Sequence, residues 1–191
     1  MTRGKAVIEI VSRATSAITA ATRPFFAFLA ATLVLGTATS ALAQDKSPSD
    51  PIRETHGAWD VRCAESGGCY ISQVWNNDEG QPVLLVSIRK LSNPTSSGNA
   101  TIVAQGNIVT PLDVFLPAAL GMQIDSAAPQ LAPFIRCLPI GCIAQPPISE
   151  ELIEAFKKGS TATFLLRRQP QSAPVEAPIS LSGFTKAYGA L

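Results

Sequence analysis

A chain of 191 residues, 46% of them hydrophobic, with 15 Lys and Arg against 14 Asp and Glu, has room for one ordinary domain and carries a net charge of only +1. Arg3, Lys5, Arg13, Arg23 and a single acid, Glu9, fall within the first 43 residues, so residues 44–191 hold 11 basic and 13 acidic groups, a net −2. No basic stripe is left to neutralise a row of phosphates, which excludes nucleic acid as an expected partner.

In chain order, the basic start runs into residues 25–35 (FFAFLAATLVL), an uncharged apolar core, and then into Ala41-Leu42-Ala43 ahead of Gln44. Basic region, apolar region and small-x-small exit form the order that signal peptidase reads, so residues 1–43 are expected to be a signal peptide cut between Ala43 and Gln44. The competing reading is a membrane anchor, because residues 24–43 are uncharged throughout. The tail of that run (TATSA) is too rich in Thr, Ser and Ala for a strong span. Export to the periplasm follows, with outer-membrane association or secretion as further destinations, and no later segment has the uncharged length of a span. Residues 44–55 (QDKSPSDPIRET) are polar, contain two prolines and read as a flexible lead-in to a single domain over 56–191.

Short apolar stretches punctuated by Gly, Pro, Asn and Ser follow. Strands are expected at 58–63, 69–75, 83–90, 100–105, 112–116, 121–125, 131–138, 142–145, 161–167 and 178–184, with a loop at 93–99 (NPTSSGN) and a Pro-rich loop before the last strand. One segment departs from this rhythm. Ser149 can cap a helix that has Glu150 and Glu151 in its first turn, Lys157 and Lys158 in its last and Gly159 at its end; Leu152, Ile153 and Phe156 form its apolar stripe. The fold class expected is therefore all-β and mainly antiparallel: one small β-sandwich or partly closed barrel with a short helix near 149–158.

All four cysteines lie after the leader, as the close pairs Cys63/Cys69 and Cys137/Cys142. An even count at short spacing in an exported chain reads as disulfides, of which four cysteines allow three connectivities. Local pairing is favoured because each pair brackets a turn, and cross-pairing stays open. Zinc is the weaker alternative, since five residues between Cys63 and Cys69 exceed the usual ligand spacing and an oxidising compartment consumes thiolates.

Chemistry-bearing groups are sparse. His56 is the single histidine, and no nucleophile-elbow, metalloprotease or phosphate-loop motif accompanies it, so a strand-entry role outweighs that of a base. Asp113 and Asp125 could face each other as a catalytic pair, though Asp at strand ends is commonly turn chemistry. Trp59 and Trp75 could form a ligand platform or pack in the core near a disulfide. Pro117, Leu120 and Met122 sit in an apolar stretch without a clear period, a candidate contact loop for a partner, with burial against the sheet as the alternative. No catalytic, cofactor or metal residue is assigned.

Several pieces, in order, carry a family resemblance: Gly57-Ala58-Trp59-Asp60-Val61-Arg62-Cys63 with Cys69, Pro111-Leu112-Asp113-Val114, Leu116-Pro117 with Leu120-Gly121-Met122, Pro133-Phe134-Ile135-Arg136-Cys137 with Gly141-Cys142, and Leu181-Ser182-Gly183-Phe184-Thr185-Lys186-Ala187. The chain resembles the invasion-associated locus B family, exported proteins of Gram-negative bacteria. The resemblance implies an exported β-rich domain at the cell envelope, with no catalytic residues to carry over. Together with the expected leader, the expected disulfides and the lack of catalytic groupings, it favours a non-catalytic protein that binds a protein or other envelope macromolecule, a host-interaction role included. The alternatives are a small-ligand or lipid-binding sandwich, with the tryptophans and residues 116–122 lining a cavity, and an uncharacterised hydrolase.

Overall fold

Apolar and polar side chains that alternate along a strand separate onto the two faces of a sheet. The computed structural model, which describes residues 50–191, uses that alternation twice, in two antiparallel sheets. The chain begins with β1 (Ile52–His56), β2 (Trp59–Cys63), β3 (Cys69–Asn76), β4 (Pro82–Ser97) and β5 (Ala100–Thr110), each paired with the next. A 3-10 turn at Leu116–Ala118 leads to β6 (Leu120–Ile124) and β7 (Gln130–Ala132), which belong to the second sheet. The chain then returns to the first sheet with β8 (Phe134–Leu138), β9 (Gly141–Ala144) and β10 (Pro147–Ser149). Helix α1 (Glu150–Lys158), β11 (Thr161–Leu166), β12 (Val175–Ser180) and helix α2 (Phe184–Gly189) complete it.

The larger sheet runs β1-β2-β3-β4-β5-β9-β8, with β10 on the other half of the same β5 flank; the smaller runs β12-β11-β6-β7. Neither closes on itself, so the architecture is an all-β, sandwich-like pair of sheets rather than a barrel. Along β4, Leu84, Val86 and Ile88 are buried while Leu85, Ser87 and Arg89 take the other face. The interior is shared by both sheets and both helices. Phe184 on α2 is its aromatic hub: Trp59 meets it edge-on at 5.3 Å, Phe156 of α1 is tilted at 5.1 Å and Tyr188 is stacked at 5.7 Å. Each such pair adds about 0.5–1.5 kcal/mol beyond the area it buries.

Helix α1 follows its expected chemistry, with the Ser149 hydroxyl accepting from the Leu152 N–H at 3.2 Å and Leu152, Ile153 and Phe156 buried. Gly159 ends it for a different reason than expected. Its φ is −75°, open to any residue, but a Cβ there would come within 2.7 Å of Ile124 and 3.0 Å of Leu181. The glycine serves close packing rather than a left-handed cap.

Five expectations need correction. Residues 52–55, read as part of the lead-in, already pair with β2. The loop at 93–99 is largely strand: β4 runs to Ser97 and turns back at Gly98, φ +59°, as an exposed two-stranded arm. A strand at 112–116 is absent, and the 3-10 turn stands close by. The stretch 131–138 is two strands in different sheets, separated by Pro133, which has no N–H to continue a ladder. Beyond β12 the chain forms α2, so a second helix joins the one expected. The proposed signal peptide, its Ala43/Gln44 boundary and residues 44–49 of the lead-in lie outside the described residues.

Candidate functional site

Of the residues singled out for chemistry, His56, Asp113, Asp125 and Trp59 are each committed to a structural bond. His56 Nε2 lies 2.9 Å from Glu54 Oε2 on exposed β1. Asp113 pairs with Arg168 at 3.2 Å, both well exposed. Asp125 adopts a φ of +48° and accepts from the backbone N–H groups of Ser160 (3.2 Å) and Thr161 (3.0 Å), closing the turn ahead of β11. The two aspartates thus serve separate partners. Trp59 is fully buried, its indole N–H donating to the Ser180 carbonyl at 3.0 Å, and Trp75 packs half-buried against the same core, so the tryptophans form no platform.

The cysteines form two disulfides, Cys63–Cys69 and Cys137–Cys142, each linking directly opposed positions of a hairpin, β2/β3 and β8/β9. The contact loop needs correcting. Leu120 is 0% exposed and Met122 5%, because both lie on β6 and face the core; only Pro117 of the three is exposed. Exposed apolar side chains gather instead where the two sheets' outermost strands meet. Leu131 of β7 and Ile135 of β8 flank a groove of about 270 Å³ whose other walls include Ala132, Pro146 and Leu152.

The most developed polar site was not legible from spacing. On the outer face of the larger sheet, Tyr70 of β3, Ser87 and Arg89 of β4, Gln105 and Asn107 of β5, and Gln145 after β9 line a cleft of about 390 Å³, with Leu85 as its apolar wall. Register builds it: Ser87 lies opposite Asn107, and Arg89 opposite Gln105. The side chains hold one another. Ser87 Oγ donates to the Asn107 carbonyl at 3.0 Å, Gln105 Nε2 to the carbonyls of Gln145 (2.8 Å) and Pro146 (3.1 Å), and Gln145 Nε2 to Asn107 Oδ1 at 3.0 Å. At one end the Tyr70 hydroxyl donates to Asp50 at 2.9 Å. Burial, then that bond and the carboxylate's charge, push the phenol up to about 12. Such a site can hold a ligand by amides, hydroxyls and one guanidinium; the lining contains no acid–base pair.

Comparison with known proteins places this architecture. Residues 59–191 match the family model described as Invasion associated locus B (IalB) protein. Invasion protein B homologs of Brucella abortus, from strain 2308 and from biovar 1 strain 9-941, are each 26% identical over 140 residues, covering 71% of this chain and 76% of theirs. The crystal structure of invasion associated protein B from Bartonella henselae shares the fold at a TM-score of 0.62 and 20% identity, covering 72% of this chain and 93% of that one. The chain belongs to the invasion associated locus B family.

Proposed function

We propose that this protein is an exported, non-catalytic domain of the cell envelope that acts by binding another macromolecule in the periplasm or at the cell surface. In this reading residues 1–43 are a signal peptide and one folded domain follows. The observation that carries it is the commitment of His56, Asp113 and Asp125 to structural partners, set beside a polar cleft whose side chains hold one another in place. Two disulfides in hairpins suit an oxidising compartment. Among the described residues no helix is long and apolar enough to cross a membrane. The relatives are named for invasion, which makes host contact one setting for the binding.

The test is crosslinking in intact cells followed by fractionation of the envelope. The protein should begin at Gln44 and crosslink saturably to a discrete envelope or surface component. A product retaining residues 25–35, or a turnover activity abolished by His56→Gln or Asp113→Asn, would overturn the proposal.

A further inference from the structure

The cleft between Tyr70 and Gln145 can recognise a ligand only through side chains. Strands β3, β4 and β5 each have a paired neighbour on both flanks, so none of them offers an open edge to which an extended peptide could add as a strand. The side-chain network fixes orientation while leaving hydrogen-bonding capacity over. Gln105 and Gln145 each use an amide N–H inside the network, and Asn107 uses its Oδ1. That leaves Gln105 Oε1, Gln145 Oε1 and Asn107 Nδ2 without a partner among the described residues, a mixed set of donors and acceptors held in place. Vicinal hydroxyl groups, which both donate and accept, are the chemistry that such an array fits.

Charge narrows the class further. Arg89 is the only charged side chain lining the cleft, and no carboxylate among the described residues reaches it. Asp50 stands at the Tyr70 end of the cleft, where it accepts from the Tyr70 hydroxyl, while Asp60 accepts from Thr55 at 2.8 Å and pairs with Arg62 at 3.3 Å. A single guanidinium matches a single negative charge and offers a planar fork for a carboxylate; it would leave a phosphomonoester dianion half neutralised. The volume, about 390 Å³, suits one or two sugar rings.

We propose that this cleft binds a saccharide bearing one carboxylate, its hydroxyls on the amides of Gln105, Asn107 and Gln145 and its carboxylate on Arg89. The proposal rests on the binding function above and names its ligand class. The test is titration of the purified protein, followed by backbone-amide NMR shifts, with methyl galacturonide (one ring, one free carboxylate), 3′-sialyllactose, lactose and an acetylated tripeptide with a free C-terminal carboxylate. At least one acidic saccharide should saturate shifts on β4, β5 and Gln145, with lactose and the peptide at least about tenfold weaker. Binding of the uronate alone or the sialoside alone identifies which source of carboxylated sugar the cleft fits.

Arg89→Gln should weaken the acidic saccharide about tenfold with an unchanged melting temperature, and Gln105→Ala should weaken lactose as well. No saturable binding by either acidic saccharide, shifts confined to another face, equal binding of the peptide, or an Arg89→Gln protein of unchanged affinity would each overturn the assignment. Failure with envelope crosslinking retained removes this site alone; cleavage of a bound saccharide would keep the site and remove the non-catalytic reading.

Discussion

Gly57 and Gly183 bring their backbones together where the β1–β2 turn meets the start of α2, and neither position has room for a side chain. Both have positive φ, +58° and +87°. A Cβ on Gly57 would come 2.5 Å from the Ser182 carbonyl oxygen, and one on Gly183 would collide with the His56 carbonyl. Between them the Ala58 N–H donates to the Ser182 carbonyl at 3.0 Å. Next door Gln73 brackets the backbone of Ser180, donating to its carbonyl at 2.9 Å and accepting from its N–H at 3.0 Å. The first and last segments of the family resemblance are therefore the two halves of one joint, which seats Trp59 against Phe184.

Gly183→Ala should accordingly be among the most damaging small substitutions in the chain, costing about 3 kcal/mol or more through backbone strain plus collision. Gly67 supplies the control. Its φ is +88° but nothing lies within 4 Å of an added Cβ, so Gly67→Ala should cost only the conformational penalty, about 1–2 kcal/mol. Urea unfolding of the two variants measures the difference, and equal costs would show that the close approach at Gly183 is relieved by movement.

Local patterns carried much of this fold into view: the Leu84-Val86-Ile88 alternation, the capping of α1 by Ser149 and the turns between paired cysteines. What escaped has identifiable causes. Phe184, Ala187 and Tyr188 follow helical spacing, a signal masked by the strand-like PIS residues before them. Gly98-Asn99 is a two-residue hairpin turn inside a stretch whose composition reads as loop. Leu120 and Met122 are separated by the strand period and face the core, a pattern hidden by the proline and alanines in front. The cleft could not be anticipated at all, since Arg89 and Gln105 become neighbours only through the β4–β5 register, and Gln145 arrives by way of β9.

Leu120 and Leu131 separate core from surface in this region. Leu120→Asp places a charge at a site with 0% exposure and should cost about 4 kcal/mol or more, enough to compromise folding. Leu131 on edge strand β7 is 71% exposed, and Leu131→Asp should change stability by no more than about 0.5 kcal/mol. Thermal unfolding of both variants is the check; a well-tolerated Leu120→Asp would return that residue to the surface and restore it as a contact candidate.

The disulfides should differ in worth. Their loops are similarly short, with sequence separations of 6 and 5, and chain entropy alone assigns each about 2 kcal/mol. Cys142, however, is buried beside Thr110, whose hydroxyl donates to the Cys142 carbonyl at 3.2 Å, whereas Cys63 and Cys69 are both half-exposed. Replacing Cys137 and Cys142 together by Ala should therefore cost about 1 kcal/mol more than the same change at Cys63 and Cys69, the excess being the cavity at Cys142. Denaturant unfolding of the two double variants reads the difference, and non-reducing peptide mapping of the parent protein should recover each pair within one local fragment.

The last prediction concerns alkaline pH, where the only two tyrosines of the chain report together. Burial, the hydrogen bond to Asp50 and that carboxylate's charge raise Tyr70 to about 12, and burial raises Tyr188 as well. In the unfolded chain both phenols titrate near their ordinary value of 10.0. Above that value the unfolded state sheds protons that the folded state still holds, so the unfolded state gains and stability falls. The tyrosines' contribution is thus fully present below about pH 10 and is lost as the pH rises through their folded values, near 12 for Tyr70. Tyrosinate absorbance should show both groups ionising late in the folded protein and near 10 in urea. Tyr70→Phe should leave one late transition, that of Tyr188, and should flatten the alkaline decline in unfolding free energy between about 10 and 12. Asp50→Ala should move the Tyr70 transition toward its ordinary value without touching Tyr188. An Asp50→Ala protein whose two transitions stay in place would mean that burial alone holds Tyr70, and that Asp50 does not close that end of the cleft.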